Sequence, residues 1–117
     1  LTNKSSLSSV FAINTVNSNT TLAKAQVQSI ILCTNFNSSF TLTLPECDGN
    51  DNTIAVGDRF RITALDPNVS TSVTVSITTA AADKIDGVDT IALESPNASV
   101  DIICYDKSNG AGKYAIL

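Results

Sequence analysis

From Ser29 onward the chain is a series of short segments, most with apolar side chains at every second position, which restricts them to extended strands with one buried face. The segment SVTVSIT, residues 72–78, shows this most clearly, setting Val73, Val75 and Ile77 against Ser72, Thr74 and Ser76. FTLTLP sets Phe40, Leu42 and Leu44 against Thr41 and Thr43, and it stops at Pro45, which has no N–H for a sheet ladder. RFRITAL places Phe60, Ile62 and Ala64 on one face and Arg59, Arg61 and Thr63 on the other. TIAL offers Ile91 and Leu93, and SVDIICYD and KYAIL, joined by the glycine-bearing KSNGAG, read as a closing hairpin.

SIILC breaks the alternation, because Ile30, Ile31, Leu32 and Cys33 are consecutive. Both faces of that strand are expected to be buried, although a small sandwich normally leaves one face to water. Ile30, Ile31 and Leu32 are therefore candidate contacts with a partner subunit. Upstream, FAINTV is the first segment with strand character, and TLAKAQVQ alone has helical propensity but is too short to insist on a helix. Residues 1–20 read as a linker or an N-terminal edge strand, and residues 21–117 as one domain. The expected fold is all-β: a single-domain antiparallel β-sandwich, jelly-roll-like, of about eight short strands separated by Gly, Pro, Asn and Asp.

A chain of 117 residues buries roughly two thirds of its unfolded surface, enough for a core without metals or many disulfides. With 43% apolar and 15% charged residues it is too apolar for disorder. A net charge of −4, with seven basic residues scattered singly, provides no footprint for nucleic acid or an anionic membrane. No apolar run is long enough to span a bilayer, so membrane insertion is not expected. The start lacks a basic-then-apolar signal segment, and a chain opening on Leu1 is expected to be a piece of a longer protein.

The three cysteines, Cys33, Cys47 and Cys104, match no zinc spacing, and an odd count leaves at least one thiol unpaired within the chain. Two readings stay open for them: small buried hydrophobes, or a disulfide that includes Cys47. With no histidine, a Ser or Cys nucleophile lacks its usual activating base, so neither an enzyme nor a cofactor is expected.

The tightest group of reactive side chains is in DKIDGVDTIAL, where Asp83, Asp86 and Asp89 surround Gly87. They fit an acid or ion site, or the polar corner between two strands. The corner is the preferred reading: Ile85 plugs the core, Asp86 and Gly87 reverse the chain, and Asp83 and Asp89 point to solvent. ECDGNDN adds oxygen side chains at Asp48, Asn50 and Asn52, spaced as in a calcium loop. Thr53 and Arg59 then stand where that loop needs glycine and a bidentate glutamate, which favours a solvated turn. The candidate ion corner thus comprises Asp48, Asn50, Asn52, Asp83 and Asp86. Asn-x-Ser/Thr triplets occur at Asn3, Asn19, Asn37, Asn68 and Asn97, acceptors only if the chain passes through a secretory route. Tyr105 and Tyr114 in the closing hairpin are candidate sugar-stacking residues, against the reading of a half-buried core.

The order of these signals is itself informative: TLTLP at 41–45, GDRFRIT at 57–63, SVTVSIT at 72–78, DKIDG at 83–87, TIAL at 90–93, SVDIICYD at 99–106 and KYAIL at 113–117. Residues 40–117 in this order resemble β-rich modules of tail-fibre, spike and other surface proteins of bacteriophages and large DNA viruses. Such modules often carry a tryptophan in the last strand, where this chain has Tyr114. The resemblance implies a structural or receptor-binding role on a virion, commonly as a homotrimer, and transfers no catalytic or ligand residue. On that reading the chain is the head of a fibre or spike, serving host attachment or capsid decoration, with a cell-surface glycan or protein as receptor. The rival reading is a monomeric carbohydrate-binding or adhesin module of an extracellular protein.

Overall fold

Each alternating segment forms a strand in the computed structural model of the protein, which describes residues 12–24, 27–47, 54–80, 82–107 and 111–117. The strands are β1 (Ile13–Val16), β2 (Thr20–Thr21), β3 (Ile30–Cys33), β4 (Phe40–Thr43), β5 (Arg59–Ala64), β6 (Val75–Thr78), β7 (Lys84–Ile85), β8 (Thr90–Leu93), β9 (Ser99–Asp106) and β10 (Lys113–Ile116). They make a six-stranded sheet in the order β1-β3-β5-β9-β10-β7 and a four-stranded sheet in the order β2-β4-β6-β8.

The fold is all-β with two sheets, but it departs from the purely antiparallel sandwich. The first six strands alternate between the sheets, and each return pairs in parallel with the preceding strand of its own sheet, as in a flattened coil of three turns. Only β8 on β6, β9 on β5 and β10 on β9 are antiparallel, while β7 joins β10 in parallel. Alternation encodes which face a side chain takes and leaves strand direction open. Here a visit to the opposite sheet supplies the crossover that a parallel pair requires.

The inner faces meet in one core. Ile31, Cys33, Phe60, Ile62, Ile102, Cys104 and Tyr114 come from the six-stranded sheet, and Phe40, Leu42, Val75, Ile77 and Leu93 from the four-stranded one. Burying each large apolar side chain favours folding by about 1.5–3 kcal/mol. At one end, the Phe36 and Phe40 rings meet edge to face with centroids 5.0 Å apart. Phe60, Ile62 and Ala64 point inward as their alternation requires, and the closing hairpin forms as expected.

The Asp86–Gly87 reversal also forms as read. Asp86 at φ 48° and Gly87 at φ 85° carry the positive φ pair of a type I′ turn, closed by Ile85 N–H to the Val88 carbonyl at 2.7 Å and Val88 N–H to the Ile85 carbonyl at 2.9 Å. Ile85 is fully buried beside it. In TLAKAQVQ the described residues hold a strand end and a single turn, closed by Val27 N–H donating to the Lys24 carbonyl at 3.0 Å.

Candidate functional site

Among the described residues, two of the places that bring polar and ionisable side chains together have opposite characters. The first is buried and centres on Asp83, which is fully enclosed and does not point to solvent as expected. Its Oδ2 accepts the Cys47 N–H at 2.8 Å, and its Oδ1 accepts the Gly112 N–H at 2.9 Å. Its backbone is held too, because Thr79 Oγ1 donates to its carbonyl at 2.8 Å. The carboxylate thereby ties three loop segments far apart in sequence. This corrects the ion-corner reading of Asp83: both its oxygens are taken by backbone N–H donors, Cys47 and Gly112, and neither is turned toward a shared ion site. Asp86 is exposed on the turn, where its Oδ2 accepts the Ile116 N–H at 3.4 Å. Asp48, Asn50 and Asn52 lie outside the described residues.

Beside Asp83, Tyr114 is completely buried, and its hydroxyl donates to the Pro45 carbonyl at 2.8 Å. It is a core residue and not a sugar contact, because an inward position on the last strand takes its ring between the sheets. Burial pushes its phenol well above the ordinary value, and the neighbouring Cys47 and Cys104 add to the effect. All three cysteines are free and buried. Burial raises the Cys33 thiol from 9.0 to about 12 and raises those of Cys47 and Cys104 as well. Thiols held protonated in this way are poor nucleophiles. Gly112 packs so closely on Cys47 that a Cβ there would collide with its sulfur and carbonyl. This cluster is a staple of the fold.

The second place is on the outer face of the six-stranded sheet. There an open cleft of about 240 Å³ is lined by Gln28, Ser29, Ile30, Arg59, Arg61 and Asp101. The β5–β9 register sets Arg61 directly opposite Asp101, and alternation turns Arg59, Arg61 and Asp101 to the same side. Arg61 grips Asp101 with two parallel bonds, Nε to Oδ1 at 2.8 Å and Nη2 to Oδ2 at 2.7 Å. Arg59 Nη2 reaches the same Oδ2 at 3.4 Å. The Arg61 bonds hold the Asp101 carboxyl below its ordinary value against the opposing effect of burial, with Arg59 assisting.

Gln28 closes the end of the cleft. It sits at φ 60°, a conformation uncommon for a residue with a Cβ, and its N–H donates to the Arg59 carbonyl at 3.0 Å. Ser29 is buried below and accepts a bond from Asn14 Nδ2 at 3.1 Å. Two guanidinium groups against one carboxylate make this cleft locally positive on a chain of net charge −4. It can hold an anionic or hydroxyl-rich ligand against the apolar side of Ile30.

Ile30 and Leu32 lie half-buried on this outer face, while Ile31 is fully buried in the core. Ile31 is thus removed from the candidate interface residues, because consecutive apolar residues on a strand still alternate between faces. Tyr105 is 51% exposed and shares the outer face with Asp101. Of the Asn-x-Ser/Thr acceptors, Asn19, Asn37, Asn68 and Asn97 are exposed, and Asn3 lies outside the described residues. Asn19 spends its side-chain oxygen on the Thr41 N–H at 2.8 Å.

Arg59 and Arg61 read in the sequence as outward-facing positions, whereas Asp101 is not singled out there. Opposite charges on two outward faces were the available signal, but which of them meet depends on strand register. Neither the family models nor the curated proteins compared with this chain gave a match.

Proposed function

We propose that this chain is a non-enzymatic surface domain of a virion, the head of a fibre or spike serving host attachment or capsid decoration, and that it works as a homotrimer. The observation that carries the assembly is an apolar group on the outer sheet face. Ile13, 65% exposed on β1, pairs in register with Ile30, Leu32 follows on β3, and Leu65, 44% exposed, continues the outward side of β5. A group of this kind that no described residue covers, alongside the edge strand β1, suits burial against second and third copies of the same chain. The order of strand signals over residues 40–117 supports the virion setting and the number three.

Light scattering at micromolar concentration is the test. A mass three times that of the chain is expected, and a mass equal to one chain would remove the trimer.

A second reading, a monomeric carbohydrate-binding module, draws support from one specific feature, the Arg59–Asp101–Arg61 cleft with Ile30 at its side. A monomeric mass together with clear glycan-array hits would favour it.

A further inference from the structure

The geometry points to the outer face of β5 and β9 as a binding track for a carboxylate-bearing glycan, running from the Arg59–Arg61–Asp101 cleft to Tyr105. This deepens the attachment role proposed above and depends on the protein being a receptor binder, whether trimeric or monomeric.

Three observations carry it. First, Arg59 is under-used: one long bond to Asp101, at 3.4 Å, is its side chain's only hydrogen bond to a described residue. Its Nε and Nη1 donors therefore have no acceptor among the described residues, and the side chain stays 43% exposed at the cleft. A guanidinium fork that lacks an acceptor fits a ligand carboxylate in two parallel bonds. Arg61 is already engaged by Asp101, so Arg59 is the group left for the ligand.

Second, the cleft offers both kinds of partner that a sugar ring needs. Asp101 and the exposed Gln28 present acceptors and donors for ring hydroxyls, and Ile30 presents an apolar wall for the ring's C–H face. Third, the track has a length. Asp101, Ile103 and Tyr105 alternate onto the outer side of β9, and Arg59 pairs with Ile103 between them. At about 3.3 Å per residue, Asp101 and Tyr105 stand about 13 Å apart along the strand, room for more than one ring. Tyr105 then serves as the stacking platform at the far end. Ile30 borders both the cleft and the apolar group of β1 and β3, and β9 stands beyond β5 from that group, so subunit contacts centred on Ile13 and Leu32 leave Asp101 and Tyr105 open.

The test is an amide chemical-shift titration of the full chain with four probes: glucuronate, N-acetylneuraminate, a glucuronate-containing tetrasaccharide and an uncharged tetrasaccharide of glucose. Shifts confined to residues 28–30, 59–61 and 101–105 are expected with the acidic probes. Arg59→Ala should weaken acidic-probe binding by about tenfold or more, the loss of a charged hydrogen-bonded pair. Tyr105→Ala should weaken the tetrasaccharide while leaving glucuronate unchanged, and as an exposed substitution it keeps the test open if Arg59→Ala fails to fold. Equal binding of acidic and neutral probes, no binding of any probe, or indifference to both variants would overturn the inference. The light-scattering mass would stand untouched in each case, so the two proposals fail separately.

Discussion

Asp83 shows how a single side chain can be mistaken for chemistry. The nearest acids in sequence are Asp86 and Asp89, but its neighbours in space are the Cys47 and Gly112 amides. Exchanging one carboxylate oxygen for an NH2 group, as in Asp83→Asn, would set donor against donor in a dry site. That change should cost about 1–3 kcal/mol, since a buried group left without its partner loses its full solvation. Urea unfolding of the variant against the parent measures it.

The thiols and Tyr114 make a second prediction at this scale. Cys33, Cys47, Cys104 and Tyr114 all have folded values raised by burial. A raised folded value means that stability is fully present below the unfolded value and is lost as pH rises through the folded one. Stability should therefore decline as pH climbs from about 9 toward about 12. Denaturation midpoints across that range check the slope. A thiol reagent should meanwhile react with the cysteines only after unfolding.

At the scale of elements, register decides what the residues become. The β5–β9 pair sets Arg61 opposite Asp101, and a one-residue slip would turn every outward charge into the core. Asp101 is the half-buried counterpart of Asp83, with cations and not amides for partners. Its folded value is lowered, first by the Arg61 bonds, so its contribution is present above the unfolded value near about 4 and is lost as pH falls through the folded one. Asp58 behaves alike: burial alone would raise it, but bonds from Lys24 and the Ala55 N–H hold it low. Stability should fall on acidification below about pH 4, and Asp101→Asn should flatten that fall. Urea unfolding of parent and variant at stepwise lower pH measures the difference. An unchanged acid slope would mean that solvent screens the pair completely.

At the scale of the whole molecule, one face of each sheet is committed to the core and the outer faces differ. The four-stranded sheet turns Thr41, Thr43, Ser76, Thr78 and Thr90 outward, a surface that water satisfies. The six-stranded sheet turns out Ile13, Ile30, Leu32 and Leu65 beside the positive cleft. If the apolar part joins subunits, the double variant Ile13→Asp and Leu32→Asp should lower the light-scattering mass to that of one chain. Neither side chain belongs to the buried core, so the far-ultraviolet β signature should persist. A trimeric mass for that variant would place the contact elsewhere.

The strand content was legible in the sequence because a pleated backbone sends alternate side chains to opposite faces. Phe60, Ile62, Val75 and Ile77 could be assigned to the core from spacing alone. The Asp86–Gly87 turn was legible for a similarly local reason, since few residues accept two successive positive φ values. Direction, register and burial of the polar residues were set elsewhere. The parallel coil of β1 to β6, the burial of Asp83 and Tyr114 and the meeting of Arg61 with Asp101 all join residues at least 29 positions apart or depend on which sheet a strand returns to. Local patterning decides which side of a strand a residue faces, whereas only the closed fold decides what stands on that side.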